Sequence, residues 1–444
     1  MKNDNIAAIS TAMGAAGVAV IRISGDSPLK IAEKMFKPTA KTPVSDFEPN
    51  KMYAGEIVAD GFSDFGLCVY FKAPKSFTGE DTVEFHSHGG VAIAQGVLKK
   101  ALSLGARPTD RGEFTKRAFL NGKLSLASAE GLIDMINSES VSGVKAGFSL
   151  YREKLTLKVN AMQEKLTAAL SQIDADIDFP EEGLEETSRE EVKKILSEVI
   201  EKTDKLISSF KMGARAAHGV KVAICGKPNV GKSSILNALL DYDKAIVSDI
   251  AGTTRDVVEG NIDINGVRFN LFDTAGIRDA ESDIESLGVR LSEKTVKSSD
   301  IVLFVLSANG VDADDEKVYD LIKDYQHITV MNKTDAGETK DSRAVLEISA
   351  KTGKGVDELR NLLYEKTVGG IDFNGEFLCE ERHFYALSAA REKLSAALLA
   401  ASDTPLDILS VDILAGWQHL GEISGKTATE EIINDIFSRF CVGK

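Results

Sequence analysis

At 444 residues and 43 % hydrophobic composition, the chain is ordinary globular protein but too long for one compact core, so two or three domains are expected. A formal net charge of −15 argues against a nucleic-acid grip spread over the whole surface. Residues 1–120 carry 15 Lys and Arg against 13 Asp and Glu, leaving −17 for the remainder, so any RNA is not expected to be held by the later parts alone. No apolar run approaches membrane-spanning length, and Met1-Lys2-Asn3-Asp4 opens no signal-peptide core. Cys68, Cys225, Cys379 and Cys441 are scattered without a C-x-x-C pair. This fits a reducing, cytoplasmic location and no zinc ribbon.

The first 120 or so residues mix strand and helix signals. Gly17-Val18-Ala19-Val20-Ile21-Arg22-Ile23 reads as a buried strand delivering Arg22 near the Ser24-Gly25 turn, and Gly66 to Phe71 as a second. Asp81 to Gly90 is polar where a core strand is apolar. On a strand Glu84, His86 and His88 share one face. That face reads as a polar pocket wall or an ordinary solvated edge; E-x-H-x-H without further ligands is a weak metal signal. Residues 89–104 have helical amphipathicity, and Arg111-Gly112-Glu113-Phe114 opens a helical passage.

Leu155, Val159, Met162, Leu166, Ala169 or Leu170, Ile173 and Ile177 recur at three and four, predicting a packed helix face that Asp178-Phe179-Pro180 ends. Glu181 to Glu186 reads as an acidic linker. Ser188-Arg189-Glu190-Glu191 reads as a capping box for a helix carrying Val192, Ile195, Leu196, Val199, Leu206, Ile207 and Phe210 on one side, with periodicity ending at Met212 to Gly219.

Gly226-Lys227-Pro228-Asn229-Val230-Gly231-Lys232-Ser233 matches G-x-x-x-x-G-K-[ST] at every fixed position, between a strand at Val220 to Cys225 and a helix from Ser234. Glycines let backbone N–H groups turn toward phosphates, Lys232 reaches the outer phosphates and Ser233 ligates Mg²⁺. Asp273-Thr274-Ala275-Gly276 follows the strand Val267 to Phe272, with Asp273 on the magnesium side. After a buried strand at Asp300 to Leu306 come Asn332-Lys333-Thr334-Asp335 and Ser349-Ala350-Lys351, which resemble the guanine-reading pair of small GTPases. A carboxylate accepts two N–H bonds from guanine, and adenine offers no such pair.

Ser248-Asp249-Ile250-Ala251-Gly252-Thr253-Thr254-Arg255-Asp256 supplies a switch, with a threonine hydroxyl placed to complete Mg²⁺ coordination when the γ-phosphate is present. Val257 to Ile264, Asn265-Gly266 and the next strand predict a hairpin. After the D-x-x-G aspartate and glycine, Ras-like enzymes carry a water-orienting glutamine, and here the residue is Ile277. Asp279, Glu281, Asp283 and Glu285 are candidates to hold the water, with Arg255, Arg278 or a cation compensating charge. Thr404-Pro405 and Thr427-Ala428-Thr429-Glu430 predict two C-terminal helix starts.

Taken together, Gly17 to Gly25, Phe77-Thr78-Gly79-Glu80-Asp81, His88-Gly89-Gly90, Gly112-Glu113-Phe114, Arg117-Ala118-Phe119-Leu120-Asn121, the P-loop, Gly252 to Asp256 and Phe440-Cys441-Val442-Gly443-Lys444 resemble the tRNA-modification GTPase family MnmE or TrmE over the full length. The resemblance implies an α/β + α architecture. Its parts are a dimerising, aminomethyltransferase-like α/β folate-binding domain (1–120), a helical domain in two pieces (121–213 and 371–444) and an inserted Ras-like P-loop GTPase domain (214–370).

It implies GTP, Mg²⁺, K⁺ and a 5,10-methylene or 5-formyl tetrahydrofolate as cofactors, a homodimer, tRNA, no membrane, and an FAD-dependent partner of the MnmG/GidA type. Together they place an aminomethyl or carboxymethylaminomethyl group on C5 of the wobble uridine. Arg22, Glu84, Lys123 and Lys444 match folate positions. GTP is assigned to Asn229, Val230, Gly231, Lys232, Ser233, Ser234, the run from Ser248 to Thr254, Asp273, Thr274, Ala275, Gly276, Asn332, Lys333, Asp335, Ser349, Ala350 and Lys351. Mg²⁺ falls to Ser233 and Thr254, K⁺ to Asn229, Ser248, Ile250 and Thr253, and catalysis to Glu285, Thr254 and Lys232. Cys441 reads as a nucleophile or a small buried thiol. A ribosome-assembly RNA-binding GTPase is the alternative, although the basic RNA module it needs is not found in the sequence.

Overall fold

The computed structural model describes residues 4–178, 185–244, 260–273, 294–369 and 377–444. The chain divides into two compact units, one of Met1–Ile133, Leu150–Leu196 and Glu392–Lys444, the other of Asp134–Ser149 and Ser197–Arg391.

The first unit begins with strands β1 (Ile6–Ile9), β2 (Ala16–Gly25), β3 (Phe36–Pro38), β4 (Met52–Val58), β5 (Ser63–Phe71), β6 (Asp81–Gly89) and β7 (Arg107–Pro108), and helices α1 (Pro28–Met35), α2 (Val91–Ser103) and α3 (Glu113–Leu120). The strands form one sheet in the order β3-β4-β5-β6-β2-β1-β7, parallel only between β1 and β7. Period-two alternation decides its faces: Ile21 and Ile23 of β2 are buried while Arg22 between them points to the other side, opposite Glu84 of β6. The buried face packs Ile57, Cys68 and Phe85 against Ile31 and Met35 of α1 and Val97 of α2. Truncating Phe85 to Ala there costs about 3–5 kcal/mol.

Helices α4 (Leu126–Asn137), α5 (Val141–Tyr151), α6 (Lys154–Asp178) and α7 (Glu185–His218) follow. The apolar face read on α6 buries Val159, Met162, Leu166, Ala169 and Ile173. Ile177 does not join it: it is 46 % exposed in the last turn. Residues 181–184 of the expected linker lie outside the described residues, and Glu185 and Glu186 already belong to α7. Ser188 therefore lies inside that helix rather than at its start. The helix also runs through the expected stop at Met212 to His218. Gly213 is needed inside it because a Cβ there would collide with the Leu378 carbonyl.

The second unit holds β8 (Val220–Cys225), α8 (Lys232–Lys244), β9 (Gly260–Ile264), β10 (Val267–Asp273), β11 (Ile301–Ser307), α9 (Ala313–Ile322), β12 (His327–Asn332), β13 (Leu346–Glu347) and α10 (Val356–Val368). The sheet order is β13-β12-β11-β8-β10-β9, parallel except for β9. The strand order reverses at β8, which puts the loop after it at the crevice where α/β sheets bind ligands. Asn265 (φ 55°) and Gly266 (φ 81°) make the expected hairpin turn between β9 and β10.

The chain closes with α11 (Glu381–Ala400), α12 (Leu406–Ser424) and α13 (Glu430–Ser438). Both predicted starts shift. Pro405 itself, not Thr404, is the N-cap of α12, with no side-chain cap. Thr429, not Thr427, caps α13, its hydroxyl accepting from the Ile432 N–H at 3.4 Å. The later threonine lies where its oxygen reaches the third N–H of the helix.

Candidate functional site

The phosphate loop lies between β8 and α8. Its glycines are dictated by space and by backbone conformation: Gly226 has φ 153° and presses on the Val305 carbonyl, while Gly231 has φ 96° against the Asn332 amide. Asn229, at φ 64°, forms the tip and is exposed. Lys232 is buried, and its ammonium donates to the carbonyls of Gly226 (2.9 Å) and Lys227 (3.1 Å). Ser233 Oγ donates to Asp273 Oδ2 across 2.7 Å. Two hard oxygen donors at a helix start suit a small divalent cation, so this pair fits Mg²⁺. Ser234 follows on the first turn of α8.

The residues expected to read the base converge from the ends of β12 and β13. Asn332 donates from Nδ2 to the Val230 carbonyl (2.9 Å) and accepts from the Ala350 N–H (3.1 Å), tying both loops to the phosphate loop. Lys333 Nζ donates to the Asn229 carbonyl at 2.6 Å. Ser349 Oγ donates to Asp335 Oδ1 at 2.7 Å. That hydrogen bond, with Lys351 and Lys333 nearby, holds the exposed Asp335 carboxyl below the usual carboxylate range. Ser248 to Thr254, Thr274 to Gly276, Ile277 and Glu285 lie outside the described residues.

In the first unit Arg22 Nε donates to Glu84 Oε1 at 2.7 Å across β2 and β6, and His86 Nε2 lies 3.4 Å from Glu84 Oε2. Burial pushes the Glu84 carboxyl up, but the His86 hydrogen bond and the Arg22 charge outweigh it and hold it below its ordinary value. The Arg22 guanidinium lies 5.4 Å from the Phe77 ring centre and 5.5 Å from that of Phe114. His88 turns to Asp64 instead, at 2.7 Å, so the E-x-H-x-H face does not converge. Among the described residues no three His, Cys, Asp or Glu side chains form a metal site.

The C-terminal tail is held to the same sheet. Val442 bridges Arg111, and Gly443 abuts the Ile9 carbonyl, in the strand where neighbouring Ala8 pairs with Arg22. Lys444 thereby follows into this region, while Lys123 donates to the Pro74 carbonyl at 2.9 Å. Cys441 is exposed, which corrects its reading as a small buried thiol.

The description MnmE helical domain matches residues 126–441, and GTP-binding protein TrmE N-terminus matches residues 5–123. The tRNA modification GTPase MnmE of Desulforamulus reducens is 39 % identical, covering 100 % of both chains, and that of Thermoanaerobacter pseudethanolicus is 38 % identical over 99 % of each. The chain belongs to the MnmE family of tRNA modification GTPases. It is a GTP-hydrolysing tRNA-modification enzyme, and MnmE membership favours that reading over a ribosome-assembly switch. Part of the chain is also similar to the solved structure of a single-residue variant of Aquifex aeolicus Era bound to GDP.AlF4- (28 % identity, 42 % of this chain and 69 % of that one, TM-score 0.28). The G domain of the T. maritima FeoB transporter is similar too (24 % identity, 33 % of this chain and 98 % of that one, TM-score 0.26). The assignment rests on the full-length sequence relatives. No helix among the described residues is long and apolar enough to cross a membrane.

Sequence reasoning missed Lys227, which occupies a variable position of the phosphate-loop pattern. Its signal lay far away, in the Asp312 and Asp315 pair that caps α9.

Proposed function

We propose that this MnmE-family chain, as a cytoplasmic homodimer working with an FAD-dependent partner of the MnmG/GidA type, couples GTP hydrolysis to installing an aminomethyl or carboxymethylaminomethyl group on C5 of the wobble uridine of certain tRNAs. The carbon comes from a 5,10-methylene or 5-formyl tetrahydrofolate. The observation that carries the folate reading is the Arg22–Glu84 pair, part-exposed on the sheet face away from α1 and α2, with Phe77 and Phe114 beside the guanidinium. A carboxylate there accepts from the amino edge of a pterin, and Arg22, Lys123 and Lys444 offer cations to a glutamyl tail. Bound folate supplies the one-carbon unit. Dimerisation of residues 1–120 is supported by Met52, Phe65 and Leu67, which are 56 %, 60 % and 36 % exposed on β4 and β5.

On the nucleotide side Lys232 and the loop N–H groups hold the phosphates, Asp335 reads the base, and Ser233 with Thr254 would hold Mg²⁺, which supplies charge neutralisation when bound. K⁺ would sit at Asn229 with Ser248, Ile250 and Thr253, and Glu285 orients the water that Ile277 cannot. The domain limits 1–120, 121–213, 214–370 and 371–444 belong to the same proposal. Titrating the full chain with 5-formyl tetrahydrofolate tests the folate site: saturable binding that Glu84→Gln weakens supports it, and no binding by the wild-type chain refutes it.

A further inference from the structure

The phosphate loop is tethered at both ends, and only one tether belongs to the guanine-reading motif. At the tip, Lys333 donates to the Asn229 carbonyl. At the start, Lys227 sends its ammonium out of the loop to the connection after β11, where it meets Asp315 Oδ2 at 2.7 Å, Asp312 Oδ2 at 2.8 Å and the Gly310 carbonyl at 3.2 Å. Three acceptors match the three N–H donors of an ammonium. Asp315 is fully buried and Lys227 is 16 % exposed, so the Asp315 leg of the tripod is shielded from solvent, while Asp312, 61 % exposed, faces it. Its acceptors are themselves ordered, because Asp312 and Asp315 form the reciprocal capping box of α9.

The backbone of Lys227 is also where the lysine of the phosphate-loop pattern is held. Lys232 donates to the carbonyls of Gly226 and Lys227, and Gly226 is wedged on Val305 of β11. Displacing residue 227 therefore displaces both the resting anchor of Lys232 and the neighbouring N–H groups of the cradle. We propose that Lys227 is a positioning residue of the nucleotide site, which fixes the phosphate loop through the Asp312–Asp315 capping box before nucleotide arrives. The inference rests on the loop being the GTP site. Because the cradle touches phosphates in ground and transition states alike, loss of the tether weakens binding without slowing the bound complex.

The test is nucleotide titration and steady-state hydrolysis by the full chain carrying Lys227→Met, Asp315→Asn, or both. The expected result is a rise of roughly tenfold in Kd for GDP and GTP alike with kcat at saturating GTP within about twofold of wild type, and a double variant no worse than the worse single one. Lys227→Arg, which keeps the charge but not the tripod, gives an intermediate Kd and serves if Lys227→Met does not fold. Unchanged Kd in a folded variant whose melting temperature has dropped overturns the proposal, as does additivity of the two substitutions. A wild-type chain that binds no guanine nucleotide overturns the proposal and the site reading together.

Discussion

Ser233 Oγ and Asp273 Oδ2 are hydrogen-bonded at 2.7 Å, joining the first turn of α8 to the last residue of β10. On the proposed function, a hydroxyl and a carboxylate so placed would share a divalent ion brought with the nucleotide. Ser233→Ala is expected to lose most of the magnesium dependence of GTP affinity while keeping the fold, since Ser233 is exposed. Titrations with and without Mg²⁺ check this, and an undiminished metal effect would remove Ser233 from the ion's shell.

Asp335→Asn should weaken GTP about a hundredfold or more and favour xanthosine triphosphate, whose 2-oxo group accepts where guanine donates. Competition between the two nucleotides reads the switch.

The Ser349 hydroxyl is the main contributor holding the Asp335 carboxyl below its ordinary value. In Ser349→Ala part of that lowering is lost, so the acidic limb of GTP binding should move to higher pH. A pH series of Kd for both chains is the measurement.

The Arg22–Glu84 pair is mostly buried, at 20 % and 13 % exposure, so removing one partner strands the other. Glu84→Ala is expected to cost about 1–3 kcal/mol at neutral pH. Because the folded carboxyl titrates below its unfolded value, this contribution is complete above the ordinary carboxylate pKa and disappears as pH falls through the folded one. Denaturant unfolding of both chains should therefore converge in acid.

His218 has the opposite sign. Its ion pair with the Glu380 carboxylate, 3.0 Å away, raises the imidazole pKa against the effect of burial. The stabilisation is full below the ordinary histidine value and fades as pH rises through the raised one. Glu380→Gln should flatten the wild-type decline in melting temperature as pH rises above the ordinary histidine value.

The phosphate loop was legible because Gly226, Gly231 and Lys232 are fixed by backbone geometry, which a spacing pattern records directly. The same holds for Asn265-Gly266, where positive φ selects the residues. Helix limits were less legible. Ser188 has capping chemistry, but Glu185 and Glu186 continue the helix before it, and Gly213 looks like a breaker until the Leu378 carbonyl is seen to need its missing side chain. Lys227 shows the other limit: its partners, Asp312 and Asp315, stand some 85 residues away in the chain, so only the folded β11–α9 connection brings them together. Cys441 read as buried because thiols usually are, yet it is exposed on a tail that Val442 and Gly443 anchor.

The most direct test of the whole account is reconstitution of the full chain with unmodified tRNA, the FAD-dependent partner, a tetrahydrofolate one-carbon donor, an ammonium or glycine source and potassium, with the nucleosides then resolved by mass. GTP should yield a wobble uridine carrying the new C5 substituent, whereas GDP, or GTP with Lys232→Ala, should leave uridine unchanged. Full modification by the Lys232→Ala chain, or none by the wild type with every component present, would contradict the account.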